Sequence, residues 1–219
     1  MTYPGGKGKC FQQLINLMPP HEIYIETHLG SGAVLKNKKP AFKNIGIDLD
    51  SDVIKSWEDY ISDNYEFINA DAFEFLTKYP FSGKELIYCD PPYVLSTRKQ
   101  KKIYKHEYSD EQHEKLLNLL CSIPCMIMIS GYKNKLYDEK LSHWRKEKFF
   151  AKTHTGVREE HVWLNFKKPT TLHDASFLGS NFRERHIIKK RHNRLIQKFA
   201  SMDPIERNHI LEMLNKKYN

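Results

Sequence analysis

Glu85-Leu86-Ile87-Tyr88-Cys89-Asp90-Pro91-Pro92-Tyr93 is the stretch that decides the fold. An apolar run of strand length ends in an acid, two prolines and an aromatic ring. The prolines fix the backbone. The carboxylate ahead of them is an acceptor, and the ring behind them offers a flat face. Such an array can hold a planar amine and stack on the base that carries it. Two further constellations upstream also fall at strand ends. Glu26-Thr27-His28-Leu29-Gly30-Ser31-Gly32-Ala33 follows the run Ile23–Glu26, and its glycines allow a tight turn and a close approach of backbone to ligand. A Gly-x-Gly alone is common in α/β turns. Asp48 closes Ile45-Gly46-Ile47-Asp48, where an acid is placed to accept hydrogen bonds from ribose hydroxyls, with Asp50 as a nearby competitor.

Outward from these points, β-rich runs at Ile23–Glu26, Asn44–Asp48, Tyr65–Ile68, Glu85–Asp90, Cys125–Ser130, Phe149–Thr153 and His161–Phe166 alternate with helical patterns. The helical patterns are Cys10–Met18, Ser51–Tyr60, Asp71–Lys78 and Asp110–Leu120. Ser109 with Gln112 has capping-box spacing, and Leu116, Leu117, Leu119 and Leu120 supply the apolar face of the last helix. The alternation predicts an open, mostly parallel α/β sheet, whose ligands bind outside the carboxyl ends of the strands. Lys167–Gly179 reads as a linker and Phe182–Ala200 as a strongly basic helix. Asp203-Pro204 restarts a short helix with an apolar stripe of Ile205, Ile210, Leu211 and Leu214, so the tail is predicted to be a helical hairpin.

The 219 residues are 40% hydrophobic, which suits one compact domain with a small appendage. The longest apolar runs, such as Cys125 to Ile129, are too short to cross a bilayer. No apolar secretory stretch follows Met1, so the protein is expected in the cytoplasm, away from membranes. Cys10, Cys89, Cys121 and Cys125 form no CxxC pair; they are expected to be small buried residues, and no metal is expected. The formal net charge of +8 is uneven. Residues 1–165 hold 23 Lys and Arg against 22 Asp and Glu, whereas residues 166–219 hold 12 against 5. A basic segment beside a neutral body points to a polyanionic partner, usually nucleic acid.

Taken in order, these motifs resemble those of the Dam-like DNA adenine methyltransferases. Tyr3-Pro4-Gly5-Gly6-Lys7 resembles the family's opening motif, in which an aromatic ring and a lysine help bind S-adenosylmethionine. Glu26 to Ala33, with His28, Leu29, Gly30, Ser31 and Gly32, resembles the cofactor glycine loop. Asp48, next to Leu49, matches the ribose-binding acid. Asn69-Ala70-Asp71, followed by Ala72, matches the third motif, where Asp71 would contact the cofactor's adenine amine. Asp90, Pro91, Pro92 and Tyr93 match the catalytic motif, with Asp90 also beside the cofactor. Tyr108-Ser109-Asp110 and Glu160-His161-Val162-Trp163-Leu164-Asn165 resemble the segment after it and the closing strand. The resemblance implies a Rossmann-like methyltransferase fold with a mixed, mostly parallel seven-stranded sheet and a basic helical extension at the C terminus. The implied domains are a catalytic domain at 1–166, a linker at 167–180 and a hairpin at 181–219. The implied reaction takes a methyl group from S-adenosylmethionine to the N6 amine of a flipped-out adenine in duplex DNA, leaving S-adenosylhomocysteine. A restriction–modification, prophage or solitary role is equally compatible.

Two departures stand out. The family usually has phenylalanine where this chain has His28, whose ring is expected to pack. Many members also insert a helical DNA-recognition domain between the third and catalytic motifs, yet only 18 residues separate Asp71 from Asp90. Two segments are candidates to compensate by contacting DNA. One is Arg98, Lys99, Lys101, Lys102, Tyr104 and Lys105, beside the catalytic motif. The other is the tail, with Arg183, Arg185, Lys189, Lys190, Arg191 and Arg194. The alternative for the tail is packing on the body or dimerisation. RNA or single-stranded DNA as substrate, a non-catalytic nucleic-acid-binding role and methylation of a protein amide are the competing readings.

Overall fold

The computed structural model describes residues 6–98, 105–153 and 156–218. Seven strands form one sheet: β1 (Ile23–Glu26), β2 (Lys43–Asp48), β3 (Tyr65–Asn69), β4 (Glu85–Cys89), β5 (Met126–Gly131), β6 (Arg145–Thr153) and β7 (Gly156–Leu164), in the order β3-β2-β1-β4-β5-β7-β6. The first five run parallel, and β7 lies antiparallel between β5 and β6. This is the mixed, mostly parallel α/β sheet expected from the alternation of runs. From β1 the chain winds to β2 and β3. It then returns to the other side of β1 as β4, so the winding reverses between β1 and β4. A crevice opens where strand order reverses in this way.

The core joins Ile25, Ile45, Ile47, Ile87, Ile127 and Ile129 of the strands to side chains from the helices. Among the described residues, α1 (Phe11–Ile15), α2 (Ala33–Asn37), α3 (Ser51–Lys55) and α6 (Lys135–Lys140) are short; Leu76 comes from α4 (Ala72–Lys78), and Leu116, Leu117 and Leu120 from α5 (Asp110–Ser122). Each fully buried side chain of this size stabilises the fold by roughly 1.5–3 kcal/mol. The α5 start is the capping box read from the sequence: the Gln112 amide donates to Ser109 Oγ at 3.2 Å, and the Ser109 amide donates to Gln112 Oε1 at 2.8 Å.

Several boundaries differ from expectation. The two last strands are longer and lie further upstream than Phe149–Thr153 and His161–Phe166, because they pair with each other as a long antiparallel ladder. The Ser51–Tyr60 helix breaks into one turn, Ser51–Lys55, and a 3-10 turn at Glu58–Tyr60. The Cys10–Met18 helix shrinks to Phe11–Ile15. Two short helices, Ala33–Asn37 and Lys135–Lys140, have no strong periodicity and were not expected. Cys10 and Cys89 are buried, but Cys121 is exposed on α5 rather than buried.

Residues 176 onward form a second compact unit. It contains α7 (Phe182–Ala200) and α8 (Pro204–Tyr218), neither of which has a buried residue. Asn181 caps α7 by accepting from the Glu184 amide at 3.0 Å. The stretch expected as a linker is bonded to the first unit near its middle. The His173 amide donates to the Met18 carbonyl, the His173 ring stacks on His21 at 3.8 Å, and Asp174 accepts from the Lys39 amide. Among the described residues no helix is long and apolar enough to cross a membrane.

Candidate active site

Where the strand order reverses, the loops after β1, β2 and β4 leave a cleft. Its walls bring together Gly6 and Lys7, the loop from Glu26 to Ser31, Asp48 and Leu49, Asp71 and Ala72, and Asp90 with Pro91 and Pro92. All of these except Thr27 were candidates from the sequence. Ala33, His106 and Tyr108 also line the cleft, without having been singled out as site residues.

The glycine loop is held from beneath. Gly30 and Gly32 adopt φ of 46° and 54°, the left-handed region that favours glycine. A Cβ on Gly32 would sit 2.1 Å from Trp57 Cζ2, so this glycine serves the packing of Trp57 and stands outside the cleft wall. Asp48 fastens the loop to β2: its Oδ2 accepts from the Gly30 amide and its Oδ1 from the Asp50 amide, both at 2.9 Å. Burial raises its pKa, while those two amides favour the charged form. Asp50, its competitor, turns away. It accepts from the Asp52 amide at the start of the Ser51–Lys55 turn and from Lys105 at 2.8 Å. Glu26 Oε2 accepts from the Tyr24 hydroxyl and the Leu35 amide, and burial pushes its carboxyl up to about 8. Asp71 caps α4 by accepting from the Glu74 amide at 3.0 Å. His28 sits between Thr27 Oγ1 at 2.8 Å and the Tyr108 hydroxyl at 3.2 Å. Burial lowers its pKa to about 3, so the ring is neutral and packs edge-on to Tyr108.

Asp90 stands just past β4 in a dense polar network. Lys7 Nζ donates to both of its carboxylate oxygens at 2.6 Å, and Ser130 Oγ donates to Oδ1 at 2.6 Å. Lys7 also donates to the Tyr93 hydroxyl at 2.7 Å, which in turn donates to Glu160 Oε2 at 3.1 Å. The Lys7 side chain is 4% exposed and that of Asp90 is 17% exposed, so the carboxylate reaches the cleft while its cation is enclosed. Burial opposes the charge on Lys7, but Asp90, Tyr93 and Glu160 outweigh it and hold the lysine pKa well above its ordinary value. Tyr93 is buried, its ring 4.3 Å from that of Tyr132, and it is not part of the cleft wall.

Sequence reading missed Ser130 and Glu160. The signal for Glu160 lay in β7, where it shares the alternation of Val162 and Leu164, both buried, so an acid occupied an apolar position. Of the expected phosphate contacts, Arg98 is 2% exposed and forks onto Glu107 at 3.0 and 2.6 Å, while Lys105 bridges Asp50 and Asp52. On α7, the 3.6-residue period puts Arg183, Lys190 and Arg194 on one face with Arg191 close by, and turns Arg185 and Lys189 elsewhere. Arg185 donates to the Gly179 carbonyl at 3.4 Å. Tyr3, Gly5, Lys99, Lys101, Lys102 and Tyr104 lie outside the described residues.

Residues 3–82 and 64–159 match the D12 class N6 adenine-specific DNA methyltransferase family. The chain belongs to that family. The methyltransferase uses S-adenosylmethionine as its cofactor. The cleft fits it: carboxylates at the strand ends suit hydroxyl and amine donors, Leu49, Ala72 and Pro91 offer apolar surface, and the surplus of acids suits a cation. No curated protein matches the sequence. Among solved structures, N-methyltransferase NodS from Bradyrhizobium japonicum is similar at 11% identity over 72% of this chain and 94% of its own, with a TM-score of 0.48. TrmK of M. capricolum, in complex with S-adenosyl-homocysteine, matches at 11% over 94% and 93%, with a TM-score of 0.48. An rRNA methylase from Streptococcus thermophilus matches at 15% over 75% and 97%, with a TM-score of 0.44.

Proposed function

We propose that the methyltransferase methylates the N6 amine of adenine in DNA, on a base rotated out of the duplex. The observation that carries this reading is the position of Asp90. It opens onto the same cleft as the glycine loop and Asp48, on a backbone stiffened by Pro91 and Pro92. A base inside a duplex is out of reach, and extruding it costs a few kcal/mol.

Asp48 accepts from the cofactor's ribose hydroxyls, and Asp71 from its adenine amine. Gly30, Leu29 and Ser31 line its path, and Lys7 anchors Asp90 beside it. When bound, S-adenosylmethionine supplies a methyl group on a sulfonium: a nitrogen–carbon bond forms as the carbon–sulfur bond breaks, the electron pair goes to sulfur, and the positive charge passes to nitrogen, which then releases a proton. The Asp90 carboxylate accepts one amine hydrogen and the Pro91 carbonyl the other. Asp90 Oδ1 already accepts from Ser130 and Lys7, whereas Oδ2 accepts from Lys7 alone among the described residues. Each carboxylate oxygen has two acceptor sites. Oδ2 is therefore the atom for the amine. The chain contributes orientation and electrostatics, with no covalent intermediate on a side chain.

Between Asp71 and Asp90 the chain forms only α4 and β4, which supports a compact enzyme without the inserted recognition domain. DNA contacts then fall to the tail, where Arg183, Lys190, Arg191 and Arg194 on one side of α7 suit a phosphate backbone. Competition among unmethylated duplex DNA, single-stranded DNA and RNA for labelled methyl tests the substrate. Preference for the duplex is expected. Preference for RNA or single strands would move the same chemistry to that substrate.

A further inference from the structure

We infer that Glu160 is a positioning residue for methyl transfer: it shares Lys7 with Asp90, so that the Asp90 carboxylate acts on the reacting amine as part of a cluster with one net negative charge. The inference rests on the reading of Asp90 as the amine acceptor.

Lys7 and Asp90 alone would form a complete, neutral ion pair. A second carboxylate buried beside them is costly, because desolvating an ion amounts to several kcal/mol. Yet Glu160 Oε2 lies 3.5 Å from Lys7 Nζ, and its side chain is only 6% exposed. It does not line the cleft, so it reaches the reaction only through its neighbours. Two links make that connection. One is the direct ion pair to Lys7. The other is the Tyr93 hydroxyl, which accepts from Lys7 at 2.7 Å and donates to Glu160 Oε2 at 3.1 Å. Ser130 steadies the far end by donating to Asp90 Oδ1, and its own hydroxyl is 3.0 Å from that of Tyr88.

The consequence is electrostatic. During transfer, positive charge passes from sulfur to the amine nitrogen. A neutral Lys7–Asp90 pair would act on that charge only as a dipole, with the ammonium cancelling most of the carboxylate's pull. With Glu160 taking part of the ammonium, two carboxylates and one ammonium leave a net attraction for a cation throughout the reaction. Such preorganised charge is effective in an enclosed site, where water does not screen it. The pKa of Lys7, held well above its ordinary value, keeps the ammonium charged across the working pH range.

The test is a double-mutant cycle on the full chain, read as single-turnover methylation at saturating S-adenosylmethionine. Glu160→Gln keeps the size and the acceptor for Tyr93 but removes the charge. It is expected to slow methylation roughly ten- to a hundredfold, the scale of one unit charge at an effective dielectric of about 20, with cofactor affinity changed less than about twofold. Lys7→Met is slower still, because it leaves two buried carboxylates facing each other. Adding Glu160→Gln to Lys7→Met relieves that repulsion, so the double variant is expected to outpace Lys7→Met. That reversal reports that Glu160 acts through Lys7. Glu160→Asp, which keeps the charge, should recover part of the wild-type rate. Glu160→Gln turning over like wild type, or slowing the Lys7→Met enzyme by the same factor as it slows wild type, overturns the inference. Wild-type enzyme that leaves no methyl on adenine of any nucleic acid instead overturns the reading beneath it.

Discussion

In the cleft, Lys7 lies between Asp90 and Glu160 and is almost fully enclosed, and Asp48 already accepts two backbone amides. In the C-terminal unit, Arg183, Lys190, Arg191 and Arg194 stand on a helix none of whose residues is buried. The first region engages its charges within the fold, at the expense of desolvation, and gains directional fields that salt barely screens. The second leaves its cations in water, where they act only on a partner that brings negative charge, and where roughly 0.15 M salt screens them beyond about 8 Å. Chemistry needs the first kind of site, and adjustable contact with a long polyanion needs the second.

This contrast can be broken most severely at Asp90. Asp90→Ala should lower turnover by about a thousandfold or more while cofactor affinity stays within about threefold, measured by single-turnover kinetics and calorimetry. A parallel loss of cofactor binding would make Asp90 part of the binding surface instead. Asp48→Ala should show the converse. Cofactor affinity should fall roughly ten- to a hundredfold, because the variant loses an acceptor and also the two amide bonds that fasten the glycine loop. Unchanged affinity would remove its ribose role.

The exposed side of the contrast predicts a different signature. Replacing Arg183, Lys190 and Arg194 together by alanine should weaken DNA binding about tenfold near 0.15 M salt. It should also flatten the dependence of log affinity on log salt by up to about 2.7, at roughly 0.9 per phosphate contact. Turnover at saturating DNA should stay near wild type. A triple variant with an unaltered salt slope would leave α7 without a phosphate contact.

The smallest effect concerns His28. Its folded pKa of about 3 lies below the unfolded value near 6.5, so the unfolded chain takes up a proton that the folded ring refuses. The contribution to stability is complete above about pH 6.5 and is lost as pH falls, at up to about 1.4 kcal/mol per pH unit. His28→Phe should flatten the fall of unfolding free energy between pH 6.5 and 5 relative to wild type, and keep cofactor affinity within a fewfold. Equal slopes in denaturant titrations at the two pH values would show that the ring is already solvated.

The cleft was largely legible in the sequence because its parts are local: a glycine loop, an acid and a proline pair, each at the end of a strand that its own apolar run announces. The capping box at Ser109 and Gln112 was legible for the same reason. The short turns at Ala33–Asn37 and Lys135–Lys140 were not, since five or six residues carry too little periodicity to register. Nor was the length of the β6–β7 ladder, which is set by cross-strand pairing rather than by either run alone. The network behind Asp90 was least visible. Lys7, Ser130 and Glu160 meet only because the sheet brings residues 83, 40 and 70 positions from Asp90 to one point, and no local pattern encodes that meeting. Arg98 illustrates the converse: its place in a basic run suggested a free cation, but burial and Glu107 engage it.

The most direct test of the central claim is transfer from S-adenosylmethionine labelled in its methyl group to unmethylated duplex DNA, with digestion to nucleosides and identification of the labelled product. The account predicts N6-methyladenine as the labelled nucleoside with wild-type enzyme and none with Asp90→Ala that still binds the cofactor. Label on another base, or full methylation by the Asp90→Ala enzyme, would contradict it.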